Sequence, residues 1–221
     1  MSIIKLQQAY ADQVLAMIEQ IDRHAIIAGG APRDWYLGRE ATDLDVYFYA
    51  GGRSTKTIYD LLIDVGFKLD GYKDFGEVGI GYGKSPETKV IFEPLDTAIP
   101  VQLMMMGQKT HDSVLSSFAV NLSLTWYKHR TISTTPEFDA GVNNKSIVRV
   151  HPNYQDDDPY IEKVRSKFPD YAYFSSDDNY FKIHPEQIDN WTYSMKRASL
   201  EASTNESHLD WLEEKYDLAA F

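Results

Sequence analysis

The residues whose types and spacing are best suited to chemistry lie between Ala28 and Tyr49, in the stretch AGGAPRDWYLGREATDLDVYFY. Gly29 and Gly30 lack a Cβ atom, so their backbone N–H groups can approach a ligand closely. They directly precede a short predicted helix, where exposed amides and the helix dipole both favour an anion. The first half of the stretch therefore predicts a phosphate-binding loop.

Two aspartates, Asp43 and Asp45, follow in the second half of the stretch. On an extended strand, side chains two residues apart point to the same face, about 7 Å from each other along the strand. Mg²⁺ binds through one or two carboxylates together with substrate phosphates. Either feature alone is typical of a structural role, but their combination predicts a site for Mg²⁺ and a nucleoside triphosphate.

Three elements must position these groups. The run AIIAGG predicts a buried strand that enters a tight turn. PRDWYLG predicts a short helix, with Pro32 at an early position and Gly38 at its end. DLDVYFY is rich in β-branched and aromatic residues and predicts a second strand.

The rest of the chain predicts an α/β region at residues 1–150 and a helical C-terminal region at residues 151–221. Apolar residues at helical spacing predict an N-terminal helix, and Ser54 predicts the start of another. Strands are expected at EVGIGYG, TKVIFEPL and IPVQLMMM, and a short helix near Thr110–Ser116. SFAVNLSLTWY fits either a strand or a buried helix. Later helices are expected at YIEKVRSKF and at residues 184–203 and 205–218.

Composition limits the classes of function. The 221 residues carry a formal net charge of −11, which argues against strong non-specific binding to nucleic acid. There is no cysteine, which excludes disulfides and thiolate chemistry and suits a reducing compartment. No apolar run reaches the length of a membrane span, and the N-terminus lacks the apolar core of a secretory signal. We therefore expect a cytoplasmic protein that is not bound to a membrane.

The spacing GG, two residues, RD, a short apolar helix ending in LGR, and then DxD resembles a known signature. It is that of the DNA-polymerase-β-like nucleotidyltransferases, in the branch of bacterial-type CCA-adding enzymes and poly(A) polymerases. The resemblance implies a mixed-sheet α/β (α+β) nucleotidyltransferase fold with a small helical C-terminal part. SFAVNLSLTWYKHRTISTTPEF is similar to a later segment of the same family, with Phe118, Val120 and Asn121 in matching places.

The resemblance also implies roles for individual residues. Gly29 and Gly30 would face the triphosphate of an NTP, and Asp43 and Asp45 would hold Mg²⁺. Arg33 and Asp34 would brace the loop or contact phosphate, and Arg39 is also expected among the nucleotide-binding residues. The implied reaction is attack of a hydroxyl on the α-phosphate with release of pyrophosphate.

The sequence departs from the family pattern at two places. The family supplies a third carboxylate from a neighbouring strand, whereas PVQLMMM offers Gln102, which cannot act as a base near neutral pH. Glu93, in VIFEPL, is the nearest acid that could replace it, and Glu77 is a weaker candidate. The Arg-Asp pair that usually precedes Phe118 is replaced by Ser116 and Ser117, a change that bears on nucleotide selection.

Three functions remain open at this point. The first is Mg²⁺-dependent transfer of a nucleoside monophosphate to a hydroxyl of an RNA 3′ end, a protein or a small molecule. CCA-adding enzymes are nearly twice as long, so full CCA synthesis on tRNA is not expected. The second is a non-catalytic module that binds a nucleotide or a protein, consistent with Gln102. The third is a toxin-type or regulatory transferase that acts on tRNA or protein.

Overall fold

A mixed seven-stranded sheet forms the centre of the molecule. The computed structural model describes residues 2–74, 88–106 and 111–191. Within them the strand order is β3-β4-β5-β2-β1-β6-β7, and β2 and β5 are parallel while every other neighbouring pair is antiparallel. The strands are β1 (Ile26–Ala28), β2 (Leu44–Tyr49), β3 (Leu69–Asp74), β4 (Thr88–Pro94), β5 (Val101–Met106), β6 (Thr125–Lys128) and β7 (Thr131–Thr134).

Helices connect and cover these strands. Their bounds are α1 (Ile3–Ile18), α2 (Gly30–Tyr36), α3 (Thr55–Asp64), α4 (His111–Ser116), α5 (Pro136–Asn143), α6 (Pro159–Lys167) and α7 (Asp177–Phe181). Single 3-10 turns lie at Asn121–Ser123 and Pro185–Gln187. Ser54 accepts a hydrogen bond from the Thr57 N–H and caps α3, as the sequence predicts.

The period-two alternation of the strands divides the core between the two faces of the sheet. On one face, Val46, Phe48 and Leu103 pack with residues of α1 and α3. On the other face, Tyr47 and Met104 pack with residues of α4 and α5. Because Asp45 alternates with Val46, its side chain lies on this second face.

The segment after residue 145 adds a two-stranded parallel sheet of β8 (Ser146–Val148) and β9 (Ala172–Phe174). Helix α6 lies between these strands in the sequence. Its residues Ile161 and Val164 share an apolar cluster with Ala119, Val120 and Leu122. Packing therefore joins α6 to the chain that follows α4, next to the central sheet.

The structure confirms the predicted α+β mixed-sheet fold. The ambiguous run SFAVNLSLTWY contains the turn Asn121–Ser123 and most of β6, so it is neither one strand nor one helix. The predicted strand EVGIGYG with Glu77, and the helix at 205–218, lie outside the described residues. So does most of the helix expected at 184–203, of which 184–191 contain one 3-10 turn. The division at residue 150 remains a prediction. No helix of the described chain is long and apolar enough to cross a membrane.

Candidate functional site

A cavity of about 530 Å³ opens on the second face of the sheet, between β2 and helix α6. Its size falls within the range of small-molecule sites, roughly 300–1,000 Å³. Its wall comes from segments that are distant in sequence, namely the predicted stretch, the chain after α4, and α6 with the residues just before it, together with Met104 of β5. The lining residues used below are Gly29, Gly30, Arg33, Asp34, Thr42, Asp43, Asp45, Tyr47, Met104, Ser117, Phe118, Tyr154, Asp158, Tyr160, Lys163 and Lys167.

Gly29 forms the tight turn between β1 and α2. Its φ of +84° is a conformation that L side chains rarely adopt, and an added Cβ would lie 3.3 Å from Cζ of Phe118. The Gly29 N–H donates to the Thr125 carbonyl at 2.9 Å, so it is engaged by the sheet. Gly30 also lines the cavity, as the first residue of α2. The amide left to meet a phosphate is therefore that of Gly30.

Asp43 and Asp45 both line the cavity, one just before β2 and one within it. The Asp43 carboxylate accepts a hydrogen bond of 3.1 Å from the Thr42 hydroxyl. The Asp45 Oδ1 atom is fully buried without a hydrogen-bond partner among the described residues. Burial, and then the charge of Asp43, raise the pKa of Asp45 to about 7, while the positive charge of Lys163 acts to lower it.

Gln102 lies directly beside Asp45 in the register of the parallel pair β2–β5. The sequence predicts this strand as the place of the third carboxylate, and the structure has an amide there. The Gln102 Oε1 atom is also buried without a hydrogen-bond partner in the described chain. Two unpartnered buried oxygens on neighbouring strands are costly unless a ligand satisfies them.

These oxygens fit a hard cation. Mg²⁺ prefers oxygen ligands and accepts one or two carboxylates when substrate phosphates complete its shell. Asp43 and Asp45 supply two carboxylates, and Gln102 supplies a neutral oxygen. The described residues contain no group of three or more His, Cys, Asp or Glu that could hold a metal. The donor set thus suits a cation shared with a phosphate ligand better than a closed protein cage.

Arg33 and Asp34 are nearly fully buried, at 5% and 1% exposure. Arg33 Nε donates to Asp34 Oδ1 at 3.0 Å, and Lys167 Nζ binds the other carboxylate oxygen. The Arg33 guanidinium also lies 5.3 Å from the ring centroid of Phe168. Asp34 therefore links α2 to the C-terminal end of α6, and this pair braces the cavity wall.

Two predicted residues lie outside the residues that line the cavity. Arg39 is exposed, lies 4.6 Å from the Phe168 ring centroid and donates to the Lys167 carbonyl at 3.1 Å. Glu93 is exposed on β4. Phe92 pairs with Leu103, so the next position, Glu93, falls beside Gln102 on the same face as Asp45. Roles for Arg39 and Glu93 remain predictions.

Helix α6 contributes cavity-lining side chains that the sequence patterns did not identify. Lys163 and Lys167 are one helical turn apart and both line the cavity. The Tyr160 hydroxyl is hydrogen-bonded to Ser123 Oγ at 2.6 Å, and burial raises the pKa of Tyr160. The i,i+4 lysine pair was the available signal, although the balanced charge of YIEKVRSK hid it. The acidic residues before α6, Asp156–Asp158, end at the start of that helix, where Asp158 accepts a hydrogen bond from the Tyr160 N–H and caps it.

The chain after α4 supplies an aromatic wall. The Phe118 ring lies edge-on to Tyr47, with centroids 6.0 Å apart, and both rings line the cavity. Ser117 also lines the cavity, at a position where the family pattern has a charged residue. Asn121 has a structural role, because its Oδ1 accepts from the Val148 N–H at 2.8 Å and its Nδ2 donates to the Glu137 carbonyl at 3.2 Å.

The fold is similar to that of solved tRNA-processing and CCA-adding enzymes. An apo tRNA-processing enzyme is 14% identical with a TM-score of 0.52, over 90% of this chain and 49% of that chain. A CCA-adding enzyme with ATP is 10% identical with a TM-score of 0.50, over 90% and 45%. A CCA-adding enzyme with CTP is 11% identical with the same score and coverage.

This similarity confirms the resemblance at the level of the fold. The chain spans about half the length of these solved structures. No protein-family model matches the sequence, and no curated protein sequence matches it.

Proposed function

We propose that this chain, which has the fold of the CCA-adding enzymes, transfers a nucleoside monophosphate from an NTP to a hydroxyl. The transfer forms a bond between the acceptor oxygen and the α-phosphate and releases pyrophosphate. One observation carries the proposal. Asp43 and Asp45 face a cavity that also contains Gly30, and the buried Asp45 and Gln102 oxygens have no partner in the described chain.

Some residues of the site are proposed to bind the metal ion and others to bind the nucleotide. Asp43 and Asp45, with the Gln102 oxygen beside them, would hold Mg²⁺, which supplies positive charge where phosphate charge develops. The Gly30 amide would contact the triphosphate, and the backbone turn at Gly29 allows that approach. Arg33 holds the wall through Asp34.

Glu93 is the proposed source of a third carboxylate. It stands next to Gln102 in the sheet, and Gln102 stands next to Asp45. Neighbouring strands are about 4.8 Å apart, so Glu93 is two strands from Asp45 on the same face. A carboxylate at that position could accept the proton of the attacking hydroxyl, which the Gln102 amide cannot.

The acceptor is proposed as a class only. Solved neighbours are named as tRNA-processing and CCA-adding enzymes, which favours an RNA end. The net charge of −11 favours a small or basic acceptor instead, including a protein side chain. Incubation of the protein with cell extract and labelled NTPs identifies the class, since the label will enter RNA, protein or a small molecule.

The transfer assay tests the catalytic proposal. Labelled NMP incorporation and pyrophosphate release are measured for the wild type, for the double variant Asp43→Ala/Asp45→Ala, and for Asp60→Ala, an exposed acid on α3. We expect the double variant to lose about a thousandfold or more of activity, because several kcal/mol of charge stabilisation disappear. Asp60→Ala should keep full activity. Undiminished transfer by a folded double variant would exclude these metal ligands.

A second candidate function rests on Gln102. An amide in place of the third carboxylate suits a module that binds a nucleotide or a protein without catalysis. Calorimetry with Mg-ATP and the other NTPs, followed by the pyrophosphate assay, separates the two functions. Binding without release in every acceptor mixture would establish the non-catalytic module. A gain of release in Gln102→Glu would show that this amide alone withholds the chemistry.

A further inference from the structure

Arg33, Lys163 and Lys167 are the cationic side chains that line the cavity within the described residues. Two of them share one partner, because Arg33 and Lys167 both form ion pairs with Asp34. The Lys163 ammonium group forms no hydrogen bond or ion pair with any residue that the structure describes, and the hydrogen bond from the Ser166 hydroxyl goes to the Lys163 backbone carbonyl. It is exposed, and its charge reaches the cavity floor, where it acts on Asp45.

The position of Lys163 on α6 is fixed by packing on the same helix. Val164 is 2% exposed and Tyr160 is partly buried, and both line the cavity beside it. One turn later, Lys167 is held to Asp34. The backbone of Lys163 is therefore anchored on both sides, while its flexible stem leaves the ammonium group free to move across the cavity mouth.

The charges of the neighbouring groups indicate which kind of ligand the Lys163 ammonium can bind. Asp43 and Asp45 are the carboxylates suited to the metal, and Asp34 is already paired twice. A triphosphate adds negative charge beyond what Mg²⁺ on two carboxylates neutralises. A lysine ammonium is a compact, mobile point charge that binds phosphate well without a fixed geometry.

We propose that Lys163 binds the β- and γ-phosphates of the nucleotide, so that the site selects nucleoside triphosphates over monophosphates. This inference rests on the proposed function, since it assigns the polyphosphate end of the same site. It gives α6 a direct role in substrate binding, in addition to its contribution to the cavity wall.

The test compares Lys163→Gln with Arg165→Gln, which removes the same charge from the same helix. Two residues apart on a helix means about 200° of rotation, and Arg165 lies over the Tyr173 ring at 4.6 Å, away from the cavity lining. Calorimetry measures the dissociation constants of Mg-ATP, Mg-pyrophosphate and AMP for each protein. Circular dichroism confirms that each variant is folded.

We expect Lys163→Gln to weaken Mg-ATP and Mg-pyrophosphate by about tenfold or more, the loss of one charge-assisted hydrogen bond. AMP affinity should stay unchanged, Arg165→Gln should bind like the wild type, and Lys163→Arg should restore most of the affinity. An equal loss for AMP and ATP would overturn the assignment to the terminal phosphates.

The remaining outcomes separate this inference from the proposed function. Unchanged Mg-ATP affinity in Lys163→Gln, with transfer still active, would overturn the inference alone. Pyrophosphate binding that depends on Lys163, in a protein that transfers no nucleotide, would support the inference and reject the catalytic proposal. A wild type that binds neither Mg-ATP nor Mg-pyrophosphate would overturn both.

Discussion

The two walls of the cavity differ in origin and in charge. The carboxylate wall, Asp43 and Asp45, stands on the sheet within one 22-residue stretch that begins at Ala28. The lysine wall, Lys163 and Lys167, stands on α6. Asp34, on α2 between Gly30 and Asp43 in the sequence, pairs with Lys167 across 133 positions of the chain. A short motif therefore supplies the proposed metal ligands, while the tertiary fold supplies the opposing charge.

The comparison shows two ways of stabilising a charged site. The carboxylate wall carries a desolvation cost, because a buried oxygen of Asp45 has no hydrogen-bond partner in the described residues. On the lysine wall, the ammonium of Lys167 forms an ion pair with Asp34. We infer that the carboxylate wall is built for a ligand, whereas on the lysine wall Lys167 stabilises the fold and Lys163 is available to a ligand. Four variants test this difference.

The largest effect is expected at the junction of the two walls. Asp34→Ala leaves the buried Arg33 guanidinium without its carboxylate and detaches Lys167. Removing one partner of a buried ion pair costs about 3–5 kcal/mol of unfolding free energy. Urea denaturation measures the loss. Asp60→Ala, which breaks the exposed pair with Lys56, is the control and should cause no measurable change. A similarly small loss in Asp34→Ala would show that α6 is held by apolar packing alone.

The second variant, Asp45→Asn, should raise the free energy of unfolding, whereas Asp34→Ala should lower it. The pKa of Asp45 is about 7 in the folded state, above its ordinary value of 3.8. The folded state therefore holds an extra proton between these values, and stability falls as the pH rises from about 4 to 7. In metal-free buffer, Asp45→Asn should stabilise the protein by about 2–3 kcal/mol at pH 8, since each pKa unit is worth 1.36 kcal/mol and residual exposure reduces the total.

The pH dependence makes this prediction specific. The difference in unfolding free energy between Asp45→Asn and the wild type should be near zero at pH 4 and should grow up to pH 8. Thermal melts at one-unit pH intervals measure it. A constant difference over this range would mean that Asp45 keeps an ordinary pKa and that its burial carries no cost for the ionised carboxylate.

The third variant concerns the loop beside the carboxylate wall. Gly29→Ala forces a side chain into a positive φ, which costs about 1–2 kcal/mol, and its Cβ would also meet Phe118. Gly38, at the other end of α2, has a φ of +70° with open space around it. Gly38→Ala therefore measures the backbone cost alone. Gly29→Ala should lower the free energy of unfolding more than Gly38→Ala does in urea denaturation. Equal losses would show that the Phe118 ring moves away from the added Cβ without an energetic cost.

The smallest effect is expected at Tyr160, near the N-terminal end of the helix that carries the lysine wall. Tyr160→Phe removes the hydrogen bond to Ser123 and should cost about 1 kcal/mol. Tyr171→Phe is the control, because the Tyr171 ring packs on Phe168 and its substitution keeps that contact. Differential scanning calorimetry compares the two. A loss in Tyr160→Phe as large as that of Asp34→Ala would place the main anchor of α6 at its N-terminal end.

Local patterns predicted the elements that carry Asp43 and Asp45. The strand, short helix and strand at AIIAGG, PRDWYLG and DLDVYFY are β1, α2 and β2. The resemblance also predicted that Gln102 lies on the strand beside Asp45, and the pairing of β2 with β5 places it there. These elements depend on period, turn chemistry and neighbours in sequence, all of which are visible in one segment.

The lysine side could not be predicted in the same way. Its contact with Asp34 depends on how α6 packs against the turn at Asn121–Ser123, through Ile161 and Val164. Such packing depends on the shapes of side chains that are far apart in the sequence, so no local sequence pattern predicts it. The mean charge of the segment was also misleading, because a helix separates Lys163 and Lys167 from the acidic residues that are mixed with them in sequence.

The double pairing of Asp34 has a consequence for the rate of ligand capture. Because α2 and α6 are already tied together through a buried carboxylate, the cleft exists before any nucleotide arrives. The ordering cost of bringing its sides together is met during folding, so binding does not have to include it. Stopped-flow association should then show a single phase whose rate rises linearly with nucleotide concentration, without a plateau set by closure of the cleft.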